Sequence, residues 1–306
     1  MSSGAVEPVA RVQRGKGGRF AVIGVPYLWL AIFFVVPFLI VIKIAFSETQ
    51  LAQPPYGPLY EVGADGHVAV TATAENFKSL LADAFYLKAY LKSLKMALVS
   101  TFFALLIAYP MAYGIARAKQ PWRNALLMLV VLPFWTSFLI RVYAWKVLLQ
   151  GNGPLNGLLL ALGVIDEPLQ ILYTDFAIYL GIVYSYLPFM LLPLYAALER
   201  LDPTLNEAAA DLGATPRRVF LSITLPLSVP GIVAGCLLVF IPAVGEFVIP
   251  ELLGGPDAAM IGRVLWNEFF ANRNWPVASA VAVVMLLALV VPIMLFQRYE
   301  AREVHP

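Results

Sequence analysis

Charged side chains are scarce in this chain of 306 residues: Asp, Glu, Lys and Arg together make up 13% of it, whereas hydrophobic residues make up 60%. Soluble globular domains contain about a quarter charged residues and about half apolar ones. A chain with so little charge cannot cover a water-exposed surface, which excludes a soluble globular protein. The composition instead predicts an all-α integral membrane protein surrounded by lipid.

Cysteine and histidine are also nearly absent. The only cysteine, Cys236, lies in an apolar run, which excludes an intramolecular disulfide and favours a role as a small core residue. The two histidines, His67 and His305, have no partner at metal-ligand spacing. We therefore expect no metal site.

Motifs of enzymes and nucleotide-binding proteins are missing too. The chain lacks the phosphate-binding pattern Gly-x-x-x-x-Gly-Lys-Ser/Thr, a His-Glu-x-x-His helix and paired aspartates at membrane depth. We therefore expect no catalytic residues, no cofactor bound by this chain and no nucleic-acid partner. An intramembrane enzyme is the less favoured alternative.

Six uncharged runs are long enough to cross about 30 Å of hydrocarbon as helices. The first could alternatively be a signal peptide, but it is longer than usual and no small-x-small cleavage site follows promptly. Residues 147–165 are also uncharged, but Gly151-Asn152-Gly153-Pro154 interrupts them, so we expect a short surface or re-entrant helix there. The six predicted spans are 20–42, 96–116, 124–140 with a continuation to 149, 176–198, 219–245 and 274–297.

Lys and Arg residues concentrate in segments that share one side if the six runs alternate across the membrane. Both termini are therefore predicted to be cytoplasmic, with residues 1–19 as a disordered tail and 20–306 as one six-helix domain. Residues 47–92 form the long external loop, in which the polar stretch 73–83 is expected to be helical. The basic residues that support this topology are Arg11, Arg14, Lys16, Arg19, Arg117, Lys119, Arg123, Arg200, Arg217, Arg218, Arg298 and Arg302.

A polar segment, residues 199–228, separates the fourth and fifth apolar runs and is predicted to be cytoplasmic. Asp202-Pro203 and Thr215-Pro216 each place an N-cap residue before a proline suited to the first helical position. Gly213 can adopt the left-handed conformation that ends a helix. We predict a short helix, a glycine turn and a second helix that continues into the membrane.

The pattern Glu207-Ala208-Ala209, Gly213 and Ile223-Thr224-Leu225-Pro226 is similar to the cytoplasmic signature of ABC importer permeases. In that family this segment is a coupling helix that docks into the ATP-hydrolysing subunit. The resemblance therefore implies that Glu207, Ala208, Ala209 and Gly213 couple this chain to an ATPase. The residues alone leave open an alanine-rich amphipathic helix at the membrane surface.

The same resemblance implies the type I importer permease fold and a bacterial inner-membrane location. It implies as partners a second homologous permease, a dimer of ATP-binding subunits that hydrolyse the ATP, and a periplasmic binding protein. Glu207 is expected to hold Arg217 or Arg218 and fix the turn, or to meet a basic group on the ATPase.

Further segments resemble the permease subunits of polyamine importers, most closely the putrescine-transporting members, and the likeness extends over nearly the whole chain. It implies uptake of putrescine. Spermidine or another small cationic or amino-acid-like solute is the alternative, because the binding protein normally screens the substrate. The segments concerned are 139–145, 187–195, 245–255, 260–266 and 274–280.

A polyamine pathway needs carboxylates for the ammonium groups and aromatic faces between them. Pro242, Gly245 and Pro250 bracket Glu246, which predicts a broken helix of the kind that lines transport pathways. We therefore predict that Glu246 is a pathway residue, and this carboxylate disfavours anion transport. An ion pair with Arg141, at a similar depth, is an equally open alternative.

Aromatic residues near this depth are the second part of the predicted pathway. Trp135, Tyr143 and Tyr184 are expected to offer their faces to ammonium groups. An interfacial aromatic belt is the alternative, and the favoured one, for Tyr143 and Trp145. Asp166 and Glu167 form an acidic external patch that could attract cations. The positive-inside bias alone would also leave this external loop without basic residues.

Overall fold

Helices dominate the structure, a computed structural model that describes residues 16–62 and 67–303. The first helical segment comprises α1 (Lys16–Leu30), a π-helical turn (Ala31–Val35) and α2 (Val36–Ala45). It is largely exposed, and α2 packs on the last helix of the chain. Most of the predicted disordered tail, residues 1–15, lies outside the described residues, but its last four residues, 16–19, are helical.

The segment after α2 contains a small hairpin, β1 (Tyr60–Val62) and β2 (Val68–Val70), and the helix α3 (Glu75–Ala82), which was predicted within 73–83. The buried Asn76 donates from Nδ2 to the carbonyl oxygens of Ala45 and Ser47, both at 2.9 Å. Asn76 thereby satisfies carbonyl groups that the end of a helix leaves free. The next helix begins at Ala84, within the predicted loop 47–92.

Three long helices form the centre of the bundle: α4 (Ala84–Arg117), α8 (Asp175–Glu199) and α11 (Leu225–Val244). Gly231 and Gly235, one helical turn apart on α11, lie against α8. A Cβ added to either glycine would come within 2.9 Å of an α8 carbonyl oxygen. Small residues at this spacing let two membrane helices approach closely, and larger ones would force them apart.

The third predicted span is bent. It comprises α5 (Trp122–Val131), a 3-10 turn (Leu132–Trp135) and α6 (Phe138–Leu148), and the two halves meet at 90°. Thr136 and Ser137 are extended between them, and Pro133 has no N–H group to continue the helical bonding. The predicted span 124–140 with its continuation to 149 is therefore not one straight helix. The short helix expected near 147–165 is α7 (Pro154–Ala161).

The remaining helices form two groups, one before α11 and one after it. Around the predicted cytoplasmic loop lie α9 (Pro203–Asp211), α10 (Pro216–Val219) and a π-helical turn (Phe220–Thr224) that leads into α11. After α11 come α12 (Val248–Leu253), α13 (Ile261–Trp266), a further π-helical turn (Asn267–Ala271) and α14 (Trp275–Glu303).

Four helices in the described part of the chain are long and apolar enough to cross a membrane: Val22–Ala45, α4, α8 and Pro216–Val244. The bent pair α5 and α6 makes a fifth if it is counted as one span. The apolar portion of α14, Trp275–Val290, is shorter. The all-α membrane class is thus confirmed, whereas the predicted number of six spans is not.

Candidate functional site

The start of α9 is held by the carboxylate of Asp202. Its Oδ1 accepts a hydrogen bond from the backbone N–H of Thr204 at 3.0 Å, and Pro203 occupies the first helical position. The hydrogen bond from the Thr204 amide lowers the pKa of Asp202 below its ordinary value. This is the N-cap that the Asp-Pro pair predicted.

The end of α9 is a glycine turn. Gly213 has φ +82°, and its N–H donates to the carbonyl of Ala210 at 2.8 Å. The N–H of Ala214 donates to the carbonyl of Ala209 at 3.0 Å. These two bonds form a Schellman motif, in which glycine is favoured because it adopts positive φ without strain. Thr215 then precedes α10 as predicted, although its side chain makes no capping hydrogen bond.

One face of α9 is apolar and exposed. Leu205 is 46% exposed, Leu212 is 89% exposed, and Ala208 lies between them on the same face. Apolar side chains grouped on an otherwise polar segment mark a contact surface. We call Leu205, Ala208 and Leu212 the α9 face. The two leucines were not identified from the sequence. Their spacing of seven residues, with Ala208 between them, could have indicated that all three lie on one face of a helix.

Glu207 is exposed and lies on the side of α9 away from Leu205 and Leu212. It lines a cavity of about 480 Å³ between α9 and the ends of α4 and α8. Arg123 also lines this cavity. It forms an ion pair with Glu199 at 3.0 Å and donates to backbone carbonyls at the end of α4. Within residues 16–62 and 67–303, Glu207 forms no ion pair with Arg217 or Arg218. The turn is therefore held by its backbone bonds rather than by that pair.

Glu246 lies at a second break, between α11 and α12. The residue is 7% exposed. Its Oε1 accepts hydrogen bonds from the N–H groups of Val248 at 2.9 Å and Ile249 at 3.3 Å, and Tyr186 donates its hydroxyl to Oε2. The carboxylate therefore caps α12 and joins it to α8. The helix break was predicted, but the capping role was not.

The joint at Glu246 is tightly packed. Gly262 of α13 lies so close that an added Cβ would come within 2.8 Å of the Glu246 carbonyl oxygen and nearer still to that of Gly245. Arg141, the alternative partner of Glu246, instead places its guanidinium beside the rings of Phe134 and Phe138. The alternative ion pair is not formed among the described residues.

None of the three predicted aromatic pathway residues hydrogen-bonds to Glu246 among the described residues. Trp135 is 76% exposed at the end of the 3-10 turn. Tyr143 is exposed on α6, with Lys146 Nζ 6.0 Å from its ring centroid. Tyr184 packs edge-on against Trp145 at 5.3 Å and lines a largely apolar groove of about 510 Å³ between α4, α5 and α8.

A different set of aromatic rings follows Glu246. Phe247 stacks on Trp266 at 4.4 Å between centroids, and Trp266 contacts Phe270 at 4.1 Å. Farther along, Phe269 stacks on Trp275 at 4.8 Å. The helical spacing of Trp266 and Phe270 could have indicated their contact, but no local pattern connects either ring to Phe247.

Residues 20–305 match the profile of one protein family, the binding-protein-dependent transport system inner membrane components. The spermidine/putrescine transport system permease protein PotB of Haemophilus influenzae is 40% identical over 281 residues, which cover 92% of this chain and 93% of the relative. PotB of Escherichia coli K12 is 39% identical over 270 residues, with coverage of 88% and 93%.

The fold is also similar to a solved structure, that of a bacterial alginate ABC transporter in complex with an alginate pentasaccharide-bound periplasmic protein. The TM-score is 0.69 at 20% identity, with 94% of each chain covered. At that identity the similarity concerns the fold alone.

Proposed function

This chain belongs to the family of binding-protein-dependent transport system inner membrane components, and we propose that it is the permease subunit of an ATP-driven importer of polyamines. The observation that carries the substrate class is the 40% identity, over 92% of the chain, to a permease named for spermidine and putrescine. The family consists of transport subunits, so the chain is a transport subunit and not an enzyme.

The proposed topology is six spans in a bacterial inner membrane, with both termini cytoplasmic. Two ion pairs support a common direction for α4 and α8. Arg123 of α5 donates to the carbonyl of Ala116 at the end of α4 and pairs with Glu199 at the end of α8, near α9. Lys92 of α4 pairs with Asp175 at the start of α8, at 3.0 Å. The basic residues near α9 favour the cytoplasmic side for that end of the bundle.

The α9 segment is the proposed contact with the ATPase. Glu207, Ala208, Ala209 and Gly213 match the signature of the coupling helix, and the exposed α9 face offers an apolar surface on a capped helix. ATP is hydrolysed by a dimer of partner subunits, since this chain lacks a phosphate-binding loop. A second permease and a periplasmic binding protein complete the proposed importer.

Glu246 is the proposed contact for one ammonium group of the substrate, with Trp135 as an exposed aromatic face. In the present conformation the carboxylate is occupied, so binding requires Tyr186 to give up its hydrogen bond. Tyr143 and Tyr184 suit a cation less well, because Lys146 lies over Tyr143 and Arg141 shares a pocket with Tyr184. Their predicted role in the pathway therefore has the weaker support.

Putrescine is the proposed main substrate, with spermidine as the alternative. The test is uptake into vesicles that contain the reconstituted importer and its loaded binding protein, with labelled putrescine, spermidine and a neutral amino acid as separate substrates. We expect ATP-dependent uptake of the polyamines and none of the amino acid. Uptake of the amino acid alone would contradict the proposal, and uptake of spermidine alone would correct the main substrate.

A further inference from the structure

Arg141 is a cation without an acidic partner in the described chain. Its guanidinium carbon lies 5.0 Å from the ring centroid of Phe134 and 5.8 Å from that of Phe138. Its Nε is buried and has no hydrogen-bond partner among residues 16–62 and 67–303. The rest of the side chain lines a pocket of about 210 Å³ with Ala144, Leu148 and two aromatic residues. Two aromatic faces attract a guanidinium but do not neutralise its charge.

Measured along the bundle axis, the pocket lies far from the end of the bundle. Tyr184, which also lines it, is nine residues beyond the start of α8 at Asp175, about 13 Å along the helix axis at 1.5 Å per residue. The hydrocarbon layer is about 30 Å thick, so this position approaches its middle. A charge at that depth is costly unless an opposite charge or a water-filled space meets it.

We propose that Arg141 forms an ion pair with a carboxylate of the second permease subunit, and that the face of α6 around Arg141 is part of the interface between the two permeases. This inference rests on the proposed function, which supplies the second permease. Ala144 lies one turn after Arg141, is exposed and lines the same pocket. Its small side chain lets a neighbouring helix approach closely.

Charge and depth favour a protein carboxylate over the other possible occupants. The substrate is a cation and would be repelled. A phospholipid phosphate lies outside the hydrocarbon layer, more than about 13 Å from this pocket along the bundle, and the guanidinium lies beside Phe134 and Phe138 rather than extended toward that surface. A carboxylate on a membrane helix is the anion that reaches this depth.

A second copy of this chain could not supply the carboxylate. Its six apolar runs contain no Asp or Glu. Glu246 directly follows the fifth run, but it is hydrogen-bonded to α12 and Tyr186, and the proposed function assigns its carboxylate to the substrate. The partner is therefore a different chain with an acidic residue at membrane depth. Neutralisation of Arg141 would also remove the like charge that opposes passage of a polyamine near Tyr184.

The test is retention of the second permease when the complete importer is purified in detergent through a tag on this chain. We expect Arg141→Gln to lower the amount of second permease per tagged chain at least fivefold, whereas Arg141→Lys retains more of it because the charge remains. Lys146→Gln is the matched control, since it removes a cation from the same helix, and it should match the wild type.

Two additions keep the test decisive if Arg141→Gln fails to accumulate. Ala144→Leu keeps the charge, fills the pocket at an exposed position and should also reduce retention. In addition, Arg141→Glu is combined with Lys in place of each intramembrane Asp or Glu of the second permease. One of these combinations should restore retention.

Three results would overturn the inference. Retention could be unchanged in Arg141→Gln and Ala144→Leu. Two differently tagged copies of this chain could co-purify without another permease. Phospholipid phosphate per complex could fall in Arg141→Gln while the second permease is retained, which would indicate a lipid site. Polyamine uptake by the wild-type importer is measured in parallel, and its absence would contradict the proposed function. Normal uptake by the wild type, together with unchanged retention of the second permease in the variants, contradicts only the ion pair.

Discussion

Asp202 and Glu246 each hold the first turn of a short helix with a carboxylate, but Asp202 does so at an exposed surface and Glu246 inside the bundle. Asp202 accepts from one backbone N–H. Glu246 accepts from two, and from the hydroxyl of Tyr186 on another helix. The exposed cap stabilises a helix whose face is free to meet a partner. The buried cap fixes how α12 is joined to α8, so Glu246 stabilises the fold in addition to its proposed contact with the substrate.

The largest expected effect concerns the buried cap. Glu246→Ala leaves two backbone N–H groups and the Tyr186 hydroxyl without their acceptor. It should destabilise the chain by about 3 kcal/mol, because buried polar groups that lose a partner are costly. Thermal unfolding of the purified complex measures this loss.

Glu246→Gln is the matched control for that cap. The amide oxygen can still accept from the backbone, so assembly and basal ATP hydrolysis should stay near wild type, while polyamine uptake falls because the charge is gone. Because no ion pair with Arg141 is formed within this chain, the Arg141→Gln change should not restore the expression or stability of a Glu246 variant. Rescue by the double change would mean that the two side chains pair after all.

Gly213→Ala tests the exposed turn and should have a smaller effect. A Cβ at φ +82° costs about 1 kcal/mol, although nothing lies within 4 Å of it. The end of α9 should loosen, and hydrogen exchange at the amides of Gly213 and Ala214 should accelerate about fivefold. Coupled transport should fall while unfolding of the whole chain barely changes. Equal exchange rates in variant and wild type would mean that the backbone of the turn accommodates the substitution.

Glu207→Gln should have a modest effect that depends on salt. The residue is exposed and forms no ion pair in the described chain, so its charge acts on the partner if it acts at all. We expect a reduction in uptake of about two- to threefold at low ionic strength, which disappears at high salt. Uptake equal to the wild type at every salt concentration would remove the electrostatic role.

The smallest effect is the pH response of the exposed cap. The pKa of Asp202 is lowered by its bond to the Thr204 amide, so its contribution is present above the unfolded value of about 3.9 and is lost as pH falls through the folded value. Protection of the Thr204 amide should therefore decrease below about pH 4. Asp202→Asn keeps an acceptor but does not titrate, so its protection should not change with pH.

The two regions also differ in how far the sequence predicts them. At α9 the signals are local: Asp202, Pro203 and Gly213 specify the start and end of the helix through bonds to residues at most a turn away. At Glu246 the prolines predicted the break, but the partner Tyr186 is distant in sequence and no local pattern identifies it. Similar depth suggested Arg141 as a partner, yet depth alone does not specify the direction in which a side chain points.

The third apolar run illustrates the same limit. Hydropathy reports composition and length, so it predicted a span at 124–140 with a continuation to 149 and gave no sign of a bend. The 90° bend depends on the extended conformation of Thr136 and Ser137 after Pro133. Pro133 marks a possible break, but the direction of α6 is set by its packing on α8 and α12, which the sequence does not display.

The central claim is that the exposed α9 face couples this permease to ATP hydrolysis. The most direct measurement compares polyamine-stimulated ATPase activity and uptake in complexes that contain Ala208→Trp or Ala210→Trp. Ala208 lies in the α9 face, whereas Ala210, also exposed, points about 160° away from it. The account predicts that Ala208→Trp lowers stimulation and uptake more than tenfold with membrane insertion intact, while Ala210→Trp retains most of both. Wild-type stimulation and uptake in Ala208→Trp would contradict it.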